Sequence, residues 1–66
     1  MKTYTLELWP DEFLRVTRSR LEMTQTQLAQ RLGVSRQMVN YYEKGVVKIP
    51  PMTLETVQLM AETEER

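Results

Sequence analysis

Along residues 2–9, KTYTLELW, the side chains Tyr4, Leu6 and Leu8 fall on one side, with Thr3, Thr5 and Glu7 on the other. That alternation is the period of a half-buried strand, and threonines and aromatics suit one. A single strand in a helical chain has no ladder partner of its own. It either pairs with a second copy of the chain or lies on the core as an extended arm. The period then changes. Phe13, Leu14, Thr17 and Leu21 recur at the spacing of one helical face, predicting a helix to about Glu22. Pro10 suits its first turn, having no amide hydrogen to leave unpaired, and Asp11 and Glu12 favour the positive end of the helix dipole.

The next two helices carry their own punctuation. Thr24 stands three residues before Gln27, the spacing of a capping box, and Met23 can staple to Leu28 across the helix start. Leu28, Ala29 and Leu32 make the apolar face, and Gly33 supplies a left-handed stop. Ser35 caps the following helix, with Val34 placed to staple to Val39. Two capped helices joined through Gly33, with only Val34 before the next cap, predict a helix-turn-helix. In the second of them, at about 100° per residue, Arg36, Gln37, Asn40, Tyr41 and Lys44 share an arc of roughly 140°. Met38, Val39 and Tyr42 lie opposite, facing the core, and Gly45 ends the helix. An extended VVKIPP leads to a last helix that starts at Pro51 and runs to about Ala61. Its Leu54, Val57 and Ala61 share a face. Met52 and Leu59 point elsewhere, more apolar sides than a small monomer needs.

Composition narrows the chemistry. At 66 residues with 41% hydrophobic and 27% charged residues, one soluble globular domain is expected. There is no Cys and no His, so disulfides, thiolate nucleophiles, imidazole bases and the usual zinc sites are excluded. No Gly-rich phosphate loop and no paired carboxylates in a plausible cleft appear, and we expect no enzyme, no metal and no cofactor. No apolar run reaches membrane-spanning length and no signal peptide is evident, so a cytoplasmic protein without a membrane partner is expected. The formal charge is zero, but it is unevenly spread. Residues 13–50 carry +5, residues 1–12 carry −2 and residues 51–66 carry −3. A basic middle between acidic ends permits a polyanionic partner without identifying one.

The stretch TQTQLAQRLGVSRQMVNYYEKG, residues 24–45, together with TR at 17–18, resembles the lambda-repressor-like, or Cro/Xre-type, helix-turn-helix family. The resemblance spans about Phe13 to Met60. It implies an all-α fold, a compact bundle of four to five helices, here preceded by the arm or strand. It also implies binding of double-stranded DNA through the major groove, usually as a homodimer on a near-palindromic operator. Arg36, Gln37, Asn40 and Tyr41 match positions at which members read bases. Thr24, Gln25, Ser35, Lys44 and Lys48 match positions that hold phosphates, and Arg18 and Glu43 match an ion pair tying the first helix to the third. The residue types suit these roles. Arg can bridge guanine O6 and N7, Gln or Asn can bridge adenine N6 and N7, and a helix N-terminus at Gln25 favours a phosphate. Tyr41 suits a thymine methyl, a phosphate or a neighbouring helix. The chain departs from the family pattern at Thr17, where leucine is usual, and at Trp9, where a capping Ser or Thr is usual.

The expected organisation is an arm over 1–9, a DNA-binding domain over 10–61 and a frayed acidic tail over 62–66. The resemblance further implies a small repressor of phage or bacterial origin, an autorepressor in the simplest case. With no room for a ligand-sensing domain, no small-molecule ligand is expected. Two segments compete for the dimer contact: Met52, Leu59 and Met60 of the last helix, or Tyr4, Leu6 and Leu8 of the arm. For the same three helical residues the plainer alternative is an untidy core. A different class stays open as well, a protein-interaction module of the antitoxin type, which salt would tell apart because phosphate contacts weaken steeply as salt rises.

Overall fold

The computed structural model describes residues 9–64, so the alternating segment with Tyr4, Leu6 and Leu8 lies outside the described residues. Four helices make up an all-α domain: α1 (Pro10–Arg20), α2 (Gln25–Leu32), α3 (Arg36–Lys44) and α4 (Pro51–Glu64). Trp9 precedes α1 in extended conformation and makes no side-chain cap; only its carbonyl serves the helix, accepting from the Phe13 amide at 2.8 Å.

α1 stops at Arg20, before the expected Glu22. The chain reverses there because Glu22 takes a left-handed φ of 59°. The Met23 amide donates back to the Arg18 carbonyl at 3.1 Å, and the Glu22 amide donates to Ser19 at 3.0 Å. The same closure recurs twice, from Val34 to the Ala29 carbonyl and from Val46 to the Tyr41 carbonyl, both at 3.0 Å. In those two cases glycine takes the left-handed position, Gly33 at 74° and Gly45 at 75°. Each closure satisfies carbonyls that a helix end leaves open. Gly45 also lies beside α1: a Cβ there would come within 3.3 Å of Oδ2 of Asp11, a side-chain tip that could yield slightly, so the left-handed φ is the stronger demand for glycine. The end of α3 thus closes onto the first turn of α1.

The core lies where α1 packs against α3 and α4 while α2 packs against α3. Phe13 and Leu14 of α1, Leu28 of α2 and Val39 of α3 are fully buried, and Ile49 of the extended connection plugs into the same cluster. α4 departs from expectation in two respects. Met60, expected among its surplus apolar residues, is buried and belongs to the core. It follows Val57 by three positions and precedes Ala61 by one, so the buried face is wider than the stripe inferred from Leu54, Val57 and Ala61. Met52 and Leu59 are exposed, at 76% and 59%. The helix also continues to Glu64, three residues into the segment expected to fray.

Candidate nucleic-acid interface

The start of α2 is tied twice. The Gln27 amide donates to Oγ1 of Thr24 at 3.1 Å, and the Thr24 amide donates to Oε1 of Gln27 at 2.8 Å. Ser35 opens α3 in the same manner, its hydroxyl oxygen accepting from the Met38 amide at 3.1 Å. Both hydroxyls act here as acceptors, which leaves each O–H proton to donate outward. The α2 and α3 starts are therefore fixed, solvent-facing N-termini, the end of a helix that attracts anions.

Behind them stands a polar network centred on Glu43. Its carboxylate accepts from Arg18 twice, from Nε at 2.6 Å and from Nη2 at 3.2 Å, while Nη1 of Arg18 donates to the Met23 carbonyl at 2.9 Å. The Arg18 and Glu43 side chains are 20% and 5% exposed, so this two-pronged pair is largely withdrawn from water. Glu43 also accepts from Nε2 of Gln25 at 3.0 Å. That nitrogen approaches Oδ1 of Asn40 at 3.4 Å, and Nη1 of Arg36 approaches Oε1 of Gln25 at 3.4 Å. A chain of hydrogen bonds therefore runs from α1 through Glu43 to the side chains at the front of α3.

This arrangement gives Gln25 partners inside the protein. Its carboxamide nitrogen donates to Glu43 and lies 3.4 Å from Oδ1 of Asn40, and its oxygen faces the Arg36 guanidinium. The backbone amide at the first position of α2 is a further group there suited to an anion. The coupling of Gln25 to Glu43 was not read from sequence. A signal for it existed: Glu43 follows the buried Val39 by four positions, which puts a carboxylate on the core side of α3 where it must find donors.

The outward face of α3 holds the remaining residues. Arg36, Gln37 and Lys44 are exposed, whereas Asn40 and Tyr41 are half-buried. Nε2 of Gln37 donates to the Tyr41 hydroxyl at 2.7 Å, one turn apart along the helix. Lys48 is exposed beyond Gly45. On another side of the molecule Arg31 of α2 pairs with Glu64 of α4, and both are exposed. That pair holds the Glu64 carboxyl below, and the Arg31 guanidinium above, their ordinary values, chiefly through the hydrogen bond between them. Among the described residues no cluster of acidic side chains could hold a metal ion, and no helix is long and apolar enough to cross a membrane.

Two capped helices joined by a left-handed glycine, the second showing a rigidly backed polar face, define a helix-turn-helix DNA-binding domain. A family model described as Helix-turn-helix matches residues 14–63, and the chain belongs to that family, the Cro/C1-type or lambda-repressor-like helix-turn-helix proteins. It is on this basis a DNA-binding helix-turn-helix regulator. No curated protein and no solved structure matches the chain.

Proposed function

We propose that the protein is a sequence-specific transcriptional repressor that binds a near-palindromic operator as a homodimer, with α3 in the major groove. The observation that carries this reading is the α3 face of Arg36, Gln37, Asn40 and Tyr41, presented by a helix whose back is anchored through Glu43 to α1 and α2. Arg36 reads guanine through its guanidinium, while Gln37, Asn40 and Tyr41 complete the base contacts. Thr24 and Ser35 donate their hydroxyl protons to phosphates, the first-turn amides of α2 join them, and Lys44 and Lys48 supply charge on either side of Gly45. Occupation of the operator excludes polymerase, at the protein's own promoter in the simplest arrangement.

Selection from a random duplex library at one stated salt concentration tests the reading. Wild type should yield one two-fold symmetric motif, and Arg36→Ala should lose preference at a single position per half-site, a cost of about 1–3 kcal/mol. Lys44→Ala and Lys48→Ala should weaken every site alike and lower the salt slope by about one unit each. An unchanged Arg36→Ala motif removes Arg36 from the reading set.

A further inference from the structure

The connection between α3 and α4 alternates. Val46, Lys48 and Pro50 are exposed, whereas Val47 is half-buried and Ile49 is buried. That is the period of a strand with one face on the core. Among the described residues no hydrogen bond reaches the amide or carbonyl of Val47, Lys48 or Ile49. At Ile49 this is a demand, because the backbone groups of a buried residue require partners. Beside the connection runs a groove of about 320 Å³, walled mainly by Pro10, Tyr42, Val47, Ile49 and Leu54. Pro10 is where the chain enters α1, so residues 1–8 arrive at one wall of this groove. The arriving segment alternates too, with Tyr4, Leu6 and Leu8 on one side and Thr5 and Glu7 on the other. Eight residues at about 3.4 Å each reach about 27 Å, enough to span residues 46–50.

A register follows from a contact already formed. Gly45 lies against Asp11, and the chain leaves Gly45 while it arrives at Pro10. Two strands running side by side from that point are antiparallel. Continued stepwise, Trp9 faces Val46, Leu8 faces Val47, Glu7 faces Lys48, Leu6 faces Ile49 and Thr5 faces Pro50. The paired residues agree in character. Leu6 and Leu8 join Val47 and Ile49 on the core side, while Glu7 meets Lys48 outside as a pair of opposite charge. Trp9 and Val46, both exposed apolar side chains, cover each other. The hydrogen bonds agree as well. Bonded and non-bonded pairs alternate along an antiparallel ladder. The Val46 amide is committed to the Tyr41 carbonyl and Pro50 has no amide, so Val46, Lys48 and Pro50 take the non-bonded places. Val47 and Ile49 take the bonded ones, and Ile49 is the residue that needs them. A slip of one residue would turn Leu6 and Leu8 into water. Nor can a second copy supply the strand in this register, because its α1 would have to occupy the place of the α1 already beside Gly45.

We propose that residues 5–9 form an antiparallel strand against residues 46–50 of the same chain, seating Leu6 and Leu8 in the groove. The ribbon closes the small domain and fixes the connection that carries Lys48. It does so whether or not the protein binds DNA.

The chain has no cysteine, so pairs can be introduced one at a time into the full-length protein. Non-bonded antiparallel positions bring Cα atoms to about 4.5 Å, within disulfide reach. Glu7→Cys with Lys48→Cys, oxidised in dilute solution, should close within one chain roughly tenfold faster than Glu7→Cys with Ile49→Cys, a pair that points to opposite faces. Trp9→Cys with Val46→Cys is a second in-register pair should the first variant melt too low for use. Amide hydrogen exchange of the wild type reads the ladder without any substitution: Leu6, Leu8, Val47 and Ile49 should be slow, Glu7 and Lys48 fast. Equal closure rates, a covalent dimer on a denaturing gel in place of a cross-linked monomer, or Val47 and Ile49 amides that exchange as fast as Lys48 each overturns the proposal.

Discussion

Thr17 sits at the centre of α1 with 1% of its surface exposed, and its hydroxyl has no hydrogen-bond partner. A buried donor without an acceptor costs about 1–3 kcal/mol, while a methyl in its place adds apolar contact. Thr17→Val is therefore expected to raise stability by about 1 kcal/mol, read from urea or thermal unfolding, without altering DNA affinity. A less stable variant would mean that the hydroxyl is satisfied after all. At this scale the sequence was informative about what a residue must be and less so about whom it meets. The apolar character of position 17 was visible in the spacing of Phe13, Leu14 and Leu21. Gln25 was assigned outward because a helix N-terminus attracts phosphate, a local argument. Its tie to Glu43 spans 18 residues, and no local pattern encodes that distance.

Among the elements, caps and stops were the most legible features, since each is written within five residues. The box at Thr24, the cap at Ser35 and the left-handed Gly33 and Gly45 all lie where local chemistry placed them. The closure at Glu22 was not legible, because its left-handed residue is not glycine and nothing in the side chain announces it. Between elements, the Arg18–Glu43 pair fixes α1 against α3. Removing one partner strands a largely buried charge, so Arg18→Met or Glu43→Gln should each cost about 3 kcal/mol. The double variant should cost less than the two singles together, and strict additivity in thermal melts would mean that the pair contributes no coupling. The exposed Arg31–Glu64 pair behaves differently. The hydrogen bond from Arg31 depresses the Glu64 carboxyl in the folded state, so its contribution is complete above the ordinary carboxylate range and is lost as pH falls through the depressed value. Glu64→Gln should remove that part of the acid-side slope and leave neutral stability almost unchanged, more so in high salt. A large loss at neutral pH would show that the end of α4 matters more than an exposed pair allows.

For the whole molecule, size argues for two copies. The described residues extend 28 Å along their longest axis, whereas successive major-groove half-sites lie about 34 Å apart, so the domain of one copy reaches one half-site. With Met60 in the core, the apolar residues that α4 offers to a second copy are Met52 and Leu59, seven positions and nearly two turns apart on one side. If they form the two-fold contact, Leu59→Glu should yield a monomer by light scattering and cut operator affinity by far more than it changes base preference. A dimer that survives Leu59→Glu but fails on deletion of residues 1–8 would move the contact to Tyr4, Leu6 and Leu8. Such a contact was the least legible feature, since an exposed apolar side chain in sequence looks the same whether it meets a partner or water. The central claim is that α3 enters the groove, and it is tested most directly by titrating the isotope-labelled protein with its selected duplex and following amide and side-chain NMR signals. The largest changes are expected at Thr24 to Thr26, at Ser35 to Lys44 and at Lys48, with those of α4 outside any dimer contact nearly still. Changes centred on α4 or on the Trp9 end of α1, with Arg36 and Asn40 unmoved, would contradict it.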